Sequence, residues 1–372
     1  MKAAPRSILV VVTRRIGDVL LATPVVRSLR RHWPDAAIDM LVFSGTGGVL
    51  AGNPDVRRVV NIAERPTTGE HLQLAARLWR RYDLSISLVP SDRPTLYAWL
   101  AGRLSCGLVV DTPKHRWKRW LLDRWVPYDN ANTHTVNLYL NTLDLLGVET
   151  TPQVVASWTS DDAAQVRNTL TNAGISGEFA VMHPSPKFAY KTWTHEGWRE
   201  TGRWLAARGL QLVLTGGPDA KERTCVAAIA QALPGAVDLS GKLTLAETAC
   251  VLAQARLYIG PDTAVTHLAA ALGTPVVALF GPTDPVKWGP WPAGYAGRHN
   301  PWRRHGSQRA GKIILLQGDG MCVPCMHEGC ARRIDSLSEC LQQLPPARVI
   351  AAAAALLKEP LIPTTTLNPH VD

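Results

Sequence analysis

No apolar run in this chain approaches the roughly 20 residues that a membrane-spanning helix needs, and the stretch Val349 to Leu357 stops well short. The amino terminus is basic, but Ile8 to Val12 is only a short apolar run before Arg14 and Arg15. A secretory signal carries about 7–15 apolar residues there, so the expected location is the cytoplasm. The fixed spellings of common nucleotide sites are missing too. After the first apolar run the turn holds only Gly17, not Gly-x-Gly-x-x-Gly, which counts against a dehydrogenase. No Gly-x-x-x-x-Gly-Lys-Ser/Thr occurs, which excludes P-loop phosphoryl transfer. No Asp-x-Asp pair is present to hold a divalent cation on a sugar nucleotide, so leaving-group charge would fall to lysine and backbone donors. Helix-turn-helix and paired zinc-finger patterns are absent, and no nucleic-acid partner is expected. No short-period repeat of the solenoid kind appears.

What is present describes two globular domains. The chain has 372 residues, 46% apolar and 19% charged, which suits a folded protein with more than one core. Strands and helices alternate. Ser7 to Thr13 reads as a buried parallel strand, Val19 to His32 as a helix closed by Trp33-Pro34, Ala37 to Phe43 and Val56 to Asn61 as strands. A helix over Leu72 to Tyr82 and a strand over Leu84 to Val89 follow. Between about Thr150 and Gly177 the composition turns polar, and the rhythm restarts at Phe179, which sets domains at 1–165 and 166–345. The second half reads as strands at 179–183, 211–215, 236–239, 255–259 and 275–280, with helices between them. A last helix covers 346–358, and 359–372 reads as a disordered tail.

The most telling stretch is Gly260-Pro261-Asp262-Thr263-Ala264-Val265-Thr266-His267. An apolar run breaks there and a small-residue helix begins, an arrangement that aims free backbone N–H groups at a phosphate. Asp18 opens the other half in the same way, at the carboxyl end of the first strand, where ligands of open α/β sheets bind. A carboxylate there is a candidate general base; the plainer reading is a helix cap, with Gly17 letting the backbone turn sharply. Lys191 and Ser185, in the loop leaving Phe179 to His183, are candidates to hold a pyrophosphate, against a plain reading as solvated loop residues. Asp262 alone reads equally as a cap, and His267 as packing.

The net charge of +10 points to an anionic partner. The stretch Lys114 to Trp125 interleaves bases with three tryptophans, suiting a membrane interface or a phosphate-bearing lipid headgroup, or else a solvated helix with a tryptophan-lined buried face. Cys322, Cys325, Cys330 and Cys340 are spaced irregularly for zinc, and read as a structural metal site or as reduced thiols.

The chain resembles glycosyltransferase family 9, the ADP-heptose heptosyltransferases of lipopolysaccharide core assembly, over roughly Ser7 to Leu357. The marks are Gly17-Asp18-Val19-Leu20-Leu21 with Thr23-Pro24, Lys191-Thr192-Trp193, Asp262-Thr263 with His267 to Gly273, and Phe280-Gly281-Pro282-Thr283. The loop from His183 to Trp193, Trp288-Gly289-Pro290-Trp291 and the cysteine segment look most like the third heptosyltransferase branch. The resemblance implies an α/β protein of GT-B architecture, two Rossmann-like domains with parallel sheets facing a central cleft, acceptor in the first and ADP-sugar in the second. It implies inverting transfer of L-glycero-D-manno-heptose onto the inner core, with no cofactor and no required metal, at the cytoplasmic face of the inner membrane. Asp18 would be the base, with Lys191, Ser185, Asp262, Thr263, Ala264 and His267 around the donor and Glu247 on the nucleoside. Ala264 stands where the family commonly has glycine, and Pro184-Ser185 where it has Pro-Gly. Another nucleotide sugar, a protein acceptor, or non-catalytic binding of anionic lipid are the competing expectations.

Overall fold

The run Ile8 to Val12 is fully buried, so neither of its faces meets water, and such a strand must be covered on both sides. That requirement sets the architecture. A computed structural model describes residues 4–358, and the expected tail over 359–372 lies outside the described residues. The chain forms two compact units. The first holds the residues up to Arg167 with Leu243–Cys250 and Asp284–Arg304; the second holds Asn168–Lys242, Val251–Thr283 and His305 onward. The sequence suggests one crossing near residue 165, and the structure adds two later returns to the first unit. The second of those returns is held by bonds spanning about 150 residues, His134 Nε2 to Gly289 O and Thr135 Oγ1 to Lys287 O, which no local composition change announces.

The first sheet contains β1 (Ser7–Val11), β2 (Ala37–Phe43), β3 (Arg58–Ile62), β4 (Tyr82–Ser87), β5 (Gly102–Val109) and β6 (Arg124–Pro127). All six are parallel, in the order β3-β2-β1-β4-β5-β6. Its helices are α1 (Ile16–Leu21), α2 (Thr23–His32), α3 (Thr68–Leu78), α4 (Asp92–Ala101), α5 (Arg116–Leu121) and α6 (Thr135–Asp144). Helix α7 (Ser160–Asn172) spans the division between the units.

The second sheet contains β7 (Phe179–Met182), β8 (Gln211–Leu214), β9 (Val237–Asp238), β10 (Leu257–Pro261), β11 (Val276–Phe280), β12 (Gln308–Ala310) and β13 (Ile313–Gln317). Its order is β12-β13-β11-β10-β7-β8-β9, parallel except for the edge strand β12. Removing that edge leaves the same winding as in the first sheet: the first strand sits centrally, the next two go one way and the last three the other. Helices α8 (His195–Ala206), α9 (Ala220–Gln231), α10 (Leu245–Gln254), α11 (Ala264–Ala271), α12 (Pro285–Trp288), α13 (Glu339–Gln342) and α14 (Pro346–Leu357) complete the chain.

Three local expectations are corrected. The single helix over Val19 to His32 is two helices, because Pro24 has no N–H to continue the ladder and sits instead in the first turn of α2. The joint is held by Thr23 Oγ1 donating to Leu20 O at 2.7 Å. Gly17 consequently lies inside α1, with no left-handed turn there. The helix over Leu72 to Tyr82 ends at Leu78, and Arg80 adopts a φ of 48° to release Tyr82 into β4. Between Asp92 and Asp144 three helices and two strands form that the hydrophobic rhythm does not mark.

At the amino-terminal end of the first sheet, fully buried Asp39 on β2 ties three strands together. Its carboxylate accepts from Arg57 at 2.9 and 2.7 Å, from Arg58 at 2.9 Å and from Tyr82 Oη at 2.8 Å. Burial pushes Asp39 up, but these donors together hold it below the ordinary carboxylate range. Replacing it strands the buried tyrosine hydroxyl, while the half-exposed arginines recover water. Asp39→Ala is therefore expected to destabilise the first unit by about 2–4 kcal/mol, read as a shift in its urea unfolding midpoint.

Candidate active site

In a sheet that reverses its winding, the two strands at the reversal send their outgoing loops to opposite faces and leave a crevice at their carboxyl ends. In the first unit that point lies between β1 and β4. The loop after β1 leads into α1, whose first turn carries Asp18; the segment after β4 supplies Leu88, Val89, Pro90 and Ser91. A small pocket opens there, lined also by Arg14, Tyr128, Tyr139, Lys287 and Trp288.

Asp18 is 5% exposed and caps nothing, since the residue flanking the helix is Arg15. Its Oδ1 accepts from Tyr139 Oη at 3.2 Å and lies 3.6 Å from Arg14 Nε. Burial raises its pKa above the ordinary value, and the charge of Arg14 and the bond from Tyr139 only partly offset that. A carboxylate so placed is a stronger base than a solvated one, which is what abstraction of a hydroxyl proton asks for.

Two pocket residues escape the sequence reading. Tyr139 sits on α6, an element without a clear pattern, and its hydroxyl is kept protonated by burial and by the Asp18 charge. Lys287 sits on the four-residue helix α12, whose start is capped by Asp284 through Val286 N at 2.9 Å. Asp284 in turn receives Arg304 Nε at 2.8 Å. Only long-range packing brings this lysine to Asp18; the one local signal is the Asp284-Pro285 helix start.

The second unit repeats the geometry between β7 and β10. The loop after β7 carries Ser185 and Lys191, and Asp262 and Thr263 follow β10. Lys191 Nζ donates to Asp262 Oδ2 at 2.5 Å and to Asp262 O at 3.2 Å, bridging the reversal point. Burial pushes Asp262 up, but the charge and hydrogen bond of Lys191, with the hydroxyl of Thr283, hold the carboxyl below its usual range. The Asp262 carboxyl is therefore kept as an anion. The lysine loop is pinned from below by Trp193, 1% exposed, whose Nε1 donates to Leu344 O at 2.9 Å and whose ring meets Trp198 edge-on at 5.1 Å.

Asp262 is thus no helix cap: the flanking residue of α11 is Thr263, and its side chain caps nothing either. Ala264 is the first residue of that helix, so its N–H and those of Val265 and Thr266 are the donors left over at the helix start. His267 is 5% exposed with Nε2 3.8 Å from Asp262 Oδ1, and burial lowers its pKa to about 4, so it is neutral and adds no charge. Ser185 is buried against the Cys225 thiol, to which it is hydrogen-bonded. Lys191, Asp262 and His267 are thus brought together, whereas Asp18 belongs to the other unit. Glu247 groups with the first unit as well, and its Oε2 accepts from Thr244 N at 2.7 Å in a reciprocal cap at the start of α10.

The cysteine segment lies in the second unit. Cys340 is buried, and its thiol is pushed up to about 11 by burial and by the neighbouring thiols of Cys330, Cys325 and Cys322. Among the described residues no three His, Cys, Asp or Glu side chains are arranged to hold a metal ion. The basic tryptophan segment reverses the expected helix with a buried aromatic face. On α5 it is Lys118 that is fully buried, donating to Pro90 O at 2.5 Å and pairing with Asp92 at 2.7 Å, while Trp120 is 90% exposed.

The family model described as Glycosyltransferase family 9 (heptosyltransferase) matches residues 72–307. The chain is 30% identical to lipopolysaccharide heptosyltransferase 3 of Escherichia coli K12, over 92% of this chain and 96% of that one. It is 32% identical to a second Escherichia coli lipopolysaccharide heptosyltransferase 3, over 74% and 83% of the two chains. The structure of Escherichia coli heptosyltransferase WaaC with ADP superposes with a TM-score of 0.70 at 22% identity, covering 94% of this chain and 99% of that one. The fold is GT-B, built of two Rossmann-like units. With its relatives named for one activity and its own two reversal points carrying the residues that mark the family, this chain belongs to glycosyltransferase family 9, the heptosyltransferases.

Proposed function

We propose that this chain moves L-glycero-D-manno-heptose from ADP-heptose onto the inner core of lipopolysaccharide, in a step like that of the third heptosyltransferase branch, with inversion at the anomeric carbon. The observation that carries the chemistry is Asp18: a buried carboxylate with a raised pKa, facing a pocket at the winding reversal of the first unit. Relatives at 30–32% identity support the activity and the core acceptor.

In this reading the acceptor hydroxyl gives its proton to Asp18 as its oxygen attacks the anomeric carbon. The new C–O bond forms on the face opposite the breaking bond to ADP, and the electron pair leaves on the diphosphate. Tyr139 keeps one carboxylate oxygen engaged and so fixes which oxygen meets the acceptor. The departing charge goes to Lys191, to the hydroxyls of Ser185 and Thr263, and to the free N–H groups at the start of α11 from Ala264 onward. Asp262 holds Lys191 in place for that task, and neutral His267 packs behind it. Glu247 meets the nucleoside with the oxygen that the cap at Thr244 leaves over. The exposed bases Lys114 and Arg116, with outward Trp120, hold the enzyme to the anionic cytoplasmic face of the inner membrane. No described helix is long and apolar enough to cross a membrane.

Asp18→Asn is expected to lower turnover by about 10²–10⁴ while leaving ADP affinity in a calorimetric titration unchanged. Turnover like that of the wild type removes Asp18 as the base. The ionised form is the active one, so kcat/KM falls as pH drops through the Asp18 pKa. Because burial raises that pKa, the acid limb lies above the ordinary aspartate value of about 3.9. Lys191→Ala should weaken ADP-heptose binding and slow the reaction together; unchanged kinetics exclude it from the donor site. On vesicles containing phosphatidylglycerol, Trp120→Ser combined with Arg116→Gln should reduce co-sedimentation by roughly tenfold or more, and salt should do the same to the wild type.

A further inference from the structure

Lys287 is 6% exposed, yet among the described residues its side-chain hydrogen-bond partners are neutral. Nζ donates to Tyr128 Oη at 3.0 Å, to Asn130 O at 3.4 Å and to Asn130 Oδ1, and it lies over the rings of Tyr128 and Trp288 at 4.9 and 5.5 Å. Among the described residues no carboxylate stands within ion-pair distance of it. A buried ammonium without a counterion is costly to keep and is rarely kept without a use. The second cation of the pocket, Arg14, lies 3.6 Å from the shared carboxylate of Asp18. The pocket therefore carries two cations against one carboxylate, and once that carboxylate has taken a proton it carries two against none.

We infer that Lys287 and Arg14, with the Tyr128 and Ser91 hydroxyls beside them, form an oxyanion subsite that grips an acidic group on the acceptor saccharide next to the hydroxyl being glycosylated. The inference rests on the reading of Asp18 as the base of a glycosyltransferase and adds the chemistry of the acceptor. A phosphate monoester or a carboxylate would complete the charge of the pocket and fix the acceptor's register. The backbone holds Lys287 in place independently of any ligand, through Thr135 Oγ1 to Lys287 O at 3.0 Å and the Asp284 cap.

Burial first, and then the Arg14 charge, lower the Lys287 pKa to about 8, against Asp18, Asp129 and Asp284, which raise it. Tyr128 and Tyr139, the other titratable groups facing the pocket, are both pushed up and stay neutral there. The grip on an anion is accordingly present below pH 8 and released above it.

The test compares a truncated core oligosaccharide bearing a phosphate monoester with the same oligosaccharide dephosphorylated, and with one whose carboxyl groups are reduced to alcohols. Acceptor KM is measured in turnover and acceptor affinity by calorimetry. In the wild type, removing the recognised anion should raise KM by roughly 30-fold or more, and whichever treatment does so names the group. Lys287→Met should lose that discrimination and keep its ADP affinity. Lys287→Arg should keep it, and should carry it past pH 9 where the wild type has lost it, since the guanidinium stays charged. The pH comparison of wild type and Lys287→Arg decides the matter even if Lys287→Met fails to fold. Equal affinity of the wild type for all three oligosaccharides, discrimination surviving in Lys287→Met, or a loss of ADP binding in a folded Lys287→Met would overturn the subsite. Anion-dependent binding without any transfer from ADP-heptose would instead leave the subsite standing and overturn the assigned reaction.

Discussion

Everything chemical in this protein follows from a reversal of winding that happens twice. A strand flanked by crossovers on one side only has its carboxyl end roofed by the next helix. Beside β1 and beside β7 the crossovers diverge, and nothing in the backbone closes the gap. Side chains from two loops far apart in sequence then face each other. In the first unit these are Asp18 and the Pro90-Ser91 segment; in the second they are Lys191 and Asp262.

The two gaps are topological equivalents with opposite electrostatics. Each contains one buried aspartate, and each aspartate is pushed upward by loss of water. In the second unit a lysine at 2.5 Å reverses the balance, so the carboxylate is locked as an anion and its work is to hold the cation. In the first unit Arg14 stands farther off, at 3.6 Å, and a phenol supplies the closer contact, so the balance stays with burial. A distance difference of about one ångström and the exchange of an ammonium for a hydroxyl separate a structural charge from a basic one.

The fold class was legible because parallel strands buried on both faces are written as uninterrupted apolar runs: Ala37–Phe43 matches its strand residue for residue, and the elements expected from Phe179 onward fall within about two residues of their ends, while β12, β13, α12 and α13 were not foreseen. Asp18, Lys191 and Asp262 were legible for a related reason, since each lies in the segment that leaves such a run. What stayed hidden depends on contacts that sequence distance conceals. Tyr139 and Lys287 lie on helices whose placement is set by His134, Thr135 and Asp284, and nothing local distinguishes that lysine from a solvated one. Asp262 and Glu247 show the opposite failure. Both sit where a helix starts, yet only Glu247 caps, because Asp262 has a lysine within reach and Glu247 has the Thr244 backbone.

The segment from Lys114 to Trp125 looks on paper like a uniform cationic adhesive, but its members serve different masters. The ammonium at position 118 points inward and acts as a strut under the Pro90–Asp92 bend, which forms one wall of the pocket. Stripping every charge from the segment at once would therefore slacken that wall along with the outer coat. Adhesion and catalysis can be separated only by sparing this one lysine.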